Sequence, residues 1–149
     1  MPRLFTLDQA ERLLPRVEGA LRRAIRFKTE YEKARAQLAA TRRDLSMLGG
    51  VIPDRERLAK QQALERSSVE QLKEAVAEIE EIGCLLKDLD MGLIDFLTRY
   101  RNQEVCLCWK LGEDGIRFWH GLEEGFRGRK PIDSEFIAGH RGEGDSGHA

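Results

Sequence analysis

Two apolar columns run in seven-residue steps from Ala10 to Leu48, and they restrict the fold more than anything else in the chain. Ala10, Val17, Ala24, Tyr31, Leu38 and Leu45 form one column, and Leu13, Ala20, Phe27, Ala34, Thr41 and Leu48 form the other, three residues on. Side chains at these spacings share one stripe of an α-helix, so the pattern predicts a helix that buries a seam against a partner helix. A third column is apolar only at Leu14 and Leu21 and then becomes Lys28, Arg35 and Arg42. The buried stripe should therefore be wide near the N-terminus and narrow toward Leu48.

The start of this helix is written locally. Thr6-Leu-Asp-Gln9 has the form of a capping box, in which the Thr6 hydroxyl and the Gln9 side chain satisfy each other's backbone N–H groups. Pro15 sits inside the pattern and removes one helical hydrogen bond, which predicts a kink or a short helix ending before it. A helix from Leu7 to Leu48 would be about 63 Å long at 1.5 Å per residue. Gly49-Gly-Val-Ile-Pro53 breaks it, Asp54 can cap a second helix, and Leu58, Val69, Leu72, Val76, Ile79 and Ile82 give that helix an inward face up to Ile82. Folded back at Gly50, the polar half of the second helix meets the narrow half of the first. A seam of Leu38, Leu45, Leu48 and Leu58 is thin for so long a hairpin, and a second copy would complete a four-helix arrangement, so a homodimer through the hairpin is expected.

After Gly83 the period shortens to two. Leu85 to Leu97 reads as a β-hairpin around Asp90-Met91-Gly92. Glu104 to Leu111 alternates, with Val105, Leu107, Trp109 and Leu111 on one face and Glu104, Cys106, Cys108 and Lys110 on the other. Gly112 to Gly115 is a turn, and Ile116 to His120 is the returning strand. The expected class is α+β: a long antiparallel, coiled-coil-like helical hairpin over residues 1–83, then a small antiparallel β-sheet and wrapping loop over 84–138 seated on the wide end of the hairpin. Residues 139–149 are glycine-rich, lack hydrophobic periodicity and are expected to be a disordered tail.

Composition excludes several roles. Charged residues make up 34% of the 149 residues but the formal net charge is -1, which gives no basic excess for a nucleic-acid partner. No apolar run approaches the roughly 18 residues of a membrane helix. The opening Met1-Pro-Arg-Leu-Phe5 lacks the pattern of an export signal, so a cytoplasmic location is expected. Cys84, Cys106 and Cys108 are odd in number, and two of them share one strand, which fits reduced thiols and not a disulfide framework.

Several ordered motifs carry a resemblance. Phe5-Thr-Leu-Asp-Gln-Ala10 with Leu13-Leu-Pro15, the Gly49-Gly50 turn, Lys87-Asp-Leu-Asp-Met-Gly-Leu-Ile-Asp-Phe96, Val105-Cys-Leu-Cys-Trp-Lys-Leu-Gly-Glu113, Phe118-Trp-His120 and Gly125-Phe-Arg-Gly-Arg-Lys-Pro131 resemble a bacterial family known as domain of unknown function 2203. The resemblance covers nearly all of the chain except the tail. It implies the fold and a bacterial cytoplasmic setting, and it implies no particular chemistry.

Four groups of residues could carry chemistry. Asp88, Asp90 and Asp95 crowd one hairpin, as a divalent cation would require. A two-residue Met91-Gly92 loop would set Asp88 opposite Asp95, whereas a left-handed Gly92 bulge would pair Lys87 with Asp95 and Leu89 with Leu93. The second register explains Gly92 and is the expected one. His120, with Asp95 and Glu104 as acidic companions, is a candidate general base, and His120 with Asp88, Asp90 and Asp95 a candidate metal set. Cys106 and Cys108 with His120 offer three zinc-type donors at an unusual C-x-C spacing, and buried thiols acting as small hydrophobes are the preferred reading. Arg127 and Arg129, with Trp119 nearby, are candidate ligand-binding residues for an anion, although a loop wrapping the sheet with Phe126 anchored beneath is preferred.

The leading expectation is a non-enzymatic interaction module that self-associates through its hairpin, with no cofactor. The alternatives are a small metal-dependent hydrolase using Asp88, Asp95, Glu104 and His120, and an anion or small-ligand binder at Arg127 and Arg129.

Overall fold

Helix α1 runs from Leu7 to Met47 without interruption, and helix α2 (Arg55–Ile82) packs against it. The computed structural model describes residues 3–47 and 55–143, so Leu48 and the turn expected at Gly49 to Asp54 lie outside the described residues. The capping box forms as predicted: the Gln9 N–H donates to the Thr6 hydroxyl at 3.1 Å, and the Thr6 N–H donates to Gln9 Oε1 at 2.9 Å. The helix does not end before Pro15. Pro15 is exposed while Leu14 and Val17 on the other side of the helix are buried, so packing outweighs a proline cost of about 3 kcal/mol.

The chain divides into two compact units. The first comprises Met1–Leu21 and Val76–Ala149, and the second comprises Arg22–Ala75. The first contains an antiparallel sheet in the order β1 (Leu85–Asp88), β2 (Leu93–Tyr100), β3 (Gln103–Lys110), β4 (Phe118–Gly121) and β5 (Lys130–Pro131). A short β6 (His140–Arg141) pairs with the far end of β2. Its core combines Phe5, Ala10, Val17 and Leu21 with Ile79 and Ile82 from α2 and Ile94, Phe96, Leu107 and Trp109 from the sheet, all at most 4% exposed. Phe5 meets Phe96 edge to face at 5.3 Å.

Burial in the second unit follows the predicted taper. Ala24, Ala34 and Leu38 are buried, Tyr31 and Leu45 are half-buried, and Arg35 and Arg42 are exposed. In the part of α2 that belongs to this unit the deepest positions are Ser68 and Ala75, while Val69 and Leu72 are only half-buried. Small residues occupy the innermost line because they let helices approach closely, and hydrophobicity alone does not identify them.

The β1–β2 register differs from both expected pairings. Leu85 faces Asp95, Leu86 faces Ile94 and Asp88 faces Leu93, with an irregularity at Lys87. Gly92 is left-handed at φ 71°, as its turn requires, but the extra residue falls inside the strand and not at the turn. Strands β2 and β3 join through Arg101 and Asn102, both at positive φ (54° and 62°), which is the conformation a two-residue hairpin demands.

The expected tail begins too early. Gly139 ends helix α3 (Ser134–Gly139), capped by the Asp133 carboxylate accepting from the Phe136 N–H at 2.8 Å, and β6 follows. His140 then returns to the first helix: its Nε2 accepts from the Leu7 N–H at 2.8 Å. The remainder, 144–149, lies outside the described residues.

Candidate functional site

Three adjacent strands place a polar cluster inside the sheet. The register sets Asp95 opposite Cys108, Leu97 opposite Cys106, and Cys106 opposite His120. Side chains alternate along a strand, so Asp95 on β2, Cys106 and Cys108 on β3, and His120 on β4 project to the same face. The face is closed: Asp95, Cys106 and His120 are each 2% exposed and Cys108 is 1% exposed. One donor atom each from Asp95, Cys106 and His120 lies within 4.8 Å of the other two.

The histidine is held at both ring nitrogens. Nδ1 lies 2.7 Å from the Gly121 carbonyl and Nε2 lies 3.2 Å from Asp95 Oδ1. A carbonyl and a carboxylate both accept, and an imidazolium, with two N–H groups, satisfies the two together. The ionisation follows: the Asp95 hydrogen bond, then the Cys108 thiol and the Gly121 carbonyl, hold His120 up at about 10 against the opposing effect of burial. Burial pushes the Cys106 thiol up to about 12, with the neighbouring Asp95 charge acting in the same direction. Cys84, outside the cluster, is pushed up to about 12 by burial.

This arrangement does not suit covalent or general-base catalysis. A nucleophilic cysteine needs a lowered pKa, and Cys106 is shifted the other way. A general base needs an unprotonated nitrogen, and both of His120's are committed as donors. The pieces do suit a metal: Asp95, Cys106 and His120 supply oxygen, sulfur and nitrogen, and the Gly121 carbonyl orients the ring from behind.

The other candidates fall elsewhere. Asp88 accepts from the Met91 N–H at 2.9 Å and serves the turn, and neither it nor the exposed Asp90 joins the cluster. Glu104 is exposed at the start of β3, so the hydrolase set of Asp88, Asp95, Glu104 and His120 does not converge. Trp119 is half-buried, stacked on Phe136 at 4.9 Å and near Tyr100 at 5.4 Å, with the Lys130 ammonium 4.6 Å from its ring. It is a packing residue for α3.

Arg129 is fully engaged. Its Nη1 donates to both carboxylate oxygens of Glu113 at 3.0 Å, and its guanidinium lies 4.1 Å from the Phe118 ring and 4.2 Å from the Phe126 ring. The loop is a latch on the sheet, and the clamp imagined for an anion already holds Glu113. Arg127 is exposed in the 3-10 turn Phe126–Gly128. Replacing Arg129 with alanine should lower stability by about 1–3 kcal/mol in urea denaturation, the range for losing a charged hydrogen-bonded partner. Phosphate should not alter that difference; a phosphate-dependent stabilisation present in the wild type and lost in the variant would reinstate an anion site.

The family described as "Uncharacterized conserved protein (DUF2203)" matches residues 3–132. No curated protein and no solved structure matches the chain.

Proposed function

The chain belongs to the DUF2203 family, and we propose that it is a non-enzymatic interaction module that self-associates through the α1/α2 hairpin of its second unit. The observation that carries this is the thin seam of that unit. Its buried side chains are Ala24, Ala34, Leu38, Ser68 and Ala75, mostly small, while Phe27, Tyr31, Leu45, Leu58, Val69 and Leu72 remain half-buried. Leu64 is 48% exposed and Met47 is 86% exposed.

Two helices give each side chain only one neighbouring helix to pack against, and most helical stability comes from packing an apolar face. A second hairpin, laid alongside in coiled-coil fashion, would supply the missing neighbours and form a four-helix arrangement. The three free cysteines fit a reducing interior such as a bacterial cytoplasm, and no helix among the described residues is long and apolar enough to cross a membrane.

Light scattering on the full chain should give a dimer mass at micromolar concentration. Leu64→Glu, an exposed site whose change leaves the monomer's core intact, should weaken dimerisation at least tenfold. A monomer mass for the wild type up to millimolar concentration would reject the proposal.

A further inference from the structure

We propose that Asp95, Cys106 and His120 form a binding site for a zinc-class divalent ion within the sheet. The site is independent of the hairpin interface, since all three residues belong to the first unit. Three features of the geometry support it.

The first is spacing. The donor atoms of the three side chains lie within 4.8 Å of one another, and the His120 Nε2 to Asp95 Oδ1 separation is 3.2 Å. Ligands of a tetrahedral zinc ion, at about 2.0–2.3 Å from the metal, sit roughly 3.3–3.8 Å apart. The cluster needs to contract by roughly 1–1.5 Å at most to meet that requirement.

The second is orientation. Nδ1 is committed to the Gly121 carbonyl at 2.7 Å, so the nitrogen facing the carboxylate and the thiol is Nε2. Metal-bound histidines characteristically donate their other ring N–H in this way, which fixes the ring and raises its basicity. A metal ion would replace the proton now shared between Nε2 and Asp95. No rotation of the ring is required.

The third is ligand type. One thiolate, one imidazole and one carboxylate form a borderline-soft set that suits zinc or cobalt and does not suit calcium or magnesium, which take oxygen ligands. The Asp95–His120 ion pair has a third donor, the Cys106 thiol, beside it in the same closed space. Four-coordinate zinc with three protein ligands keeps one position for a non-protein group.

The donors are buried, so loading must accompany folding. The experiment unfolds the full chain in urea with a thiol-free reductant and refolds it with cobalt(II). Cobalt-thiolate charge-transfer absorption with one equivalent bound per chain, displaced by zinc, is the expected result. Cys106→Ser should remove the charge-transfer band and weaken cobalt binding at least tenfold, while Cys84→Ser should leave both unchanged.

Circular dichroism identifies any variant that has not refolded. His120→Gln provides a second test, because it should lose affinity while keeping all three thiols. Absence of the band in refolded wild-type protein would overturn the proposal. So would a band that persists at full strength in Cys106→Ser.

Discussion

Replacing Asp95 with alanine should destabilise the metal-free protein by about 3–5 kcal/mol, the range for removing one partner of a buried charge pair. The cost is large because of what remains. His120 is 2% exposed and stays wedged between the Gly121 carbonyl and the space left by the carboxylate. It must either keep a charge with no counter-ion or give up a proton that two acceptors had held. A variant in which both Asp95 and His120 are replaced by leucine should recover much of the loss, because removing both partners leaves no unpaired charge. Urea denaturation of the two variants decides it: equal losses would mean that the pair matters only as volume.

The same pair should give the protein a pH signature, and the sign is fixed by geometry. The native state binds the His120 proton more tightly than the unfolded chain does, raising its pKa from 6.5 to about 10. The pair's contribution is therefore complete below about 6.5 and is lost as the pH rises through about 10. Stability measured across that window should fall more steeply for the wild type than for Asp95→Ala. Parallel curves would show that the ring is not charged in the folded state.

The second large effect is expected at Trp109. Its side chain is fully buried, and the indole N–H donates to the Glu113 carbonyl at 3.1 Å. Truncation to alanine combines lost transfer energy with an unfilled cavity and should cost about 3–5 kcal/mol, lowering the melting temperature by roughly ten degrees or more for a chain of this size. A further consequence reaches the latch, because Glu113 also accepts from the Lys110 N–H at 2.7 Å and holds Arg129. Trp109→Phe should lose much less. A calorimetric scan in which the alanine variant melts within a few degrees of the wild type would contradict this account.

The helices were legible because their information is local and repeated. Capping at Thr6 and Gln9, the seven-residue columns and the loss of the third column at Lys28 each depend on neighbours within one or two turns, and each appears as read. Strand β3 was equally legible in extent, but both of its faces are buried, from Val105 to Trp109. The preference for buried thiols at Cys106 and Cys108 agrees with this, but alternation does not say what covers them. The second face is dry because the loop carrying Phe126 and Arg129 folds back over Phe118 and Lys110, an arrangement made by tertiary contacts.

The hairpin register failed for a related reason. Gly92 specifies a left-handed turn residue, but it says nothing about an irregularity at Lys87 within β1. The turn chemistry therefore sets Asp95 against Asp88 or Lys87, whereas its buried polar neighbours come from β3 and β4. A signal existed at the other end of β2: a two-residue turn at Arg101-Asn102 sets Asp95 opposite Cys108 by simple counting. That would have joined the acidic and thiol candidates, which the sequence presented as separate groups. Helix α3 and β6 are short, and what orders them comes from distant partners such as Tyr100, Trp119 and Leu7.

The His140 contact to α1 bears on the order in which the molecule can assemble. The Leu7 N–H at the start of α1 waits for an acceptor 133 residues downstream. The preceding residues wait as well: Phe5 donates to the Leu97 carbonyl, and the Leu4 carbonyl accepts from the Glu143 N–H. During synthesis the fastenings at Leu4 and Leu7 cannot close until residues 140–143 have emerged. A premature stop just before His140 would leave the Leu7 N–H and the Leu4 carbonyl without these partners, while Arg3 and Phe5 could still reach the Gly83 and Leu97 carbonyls.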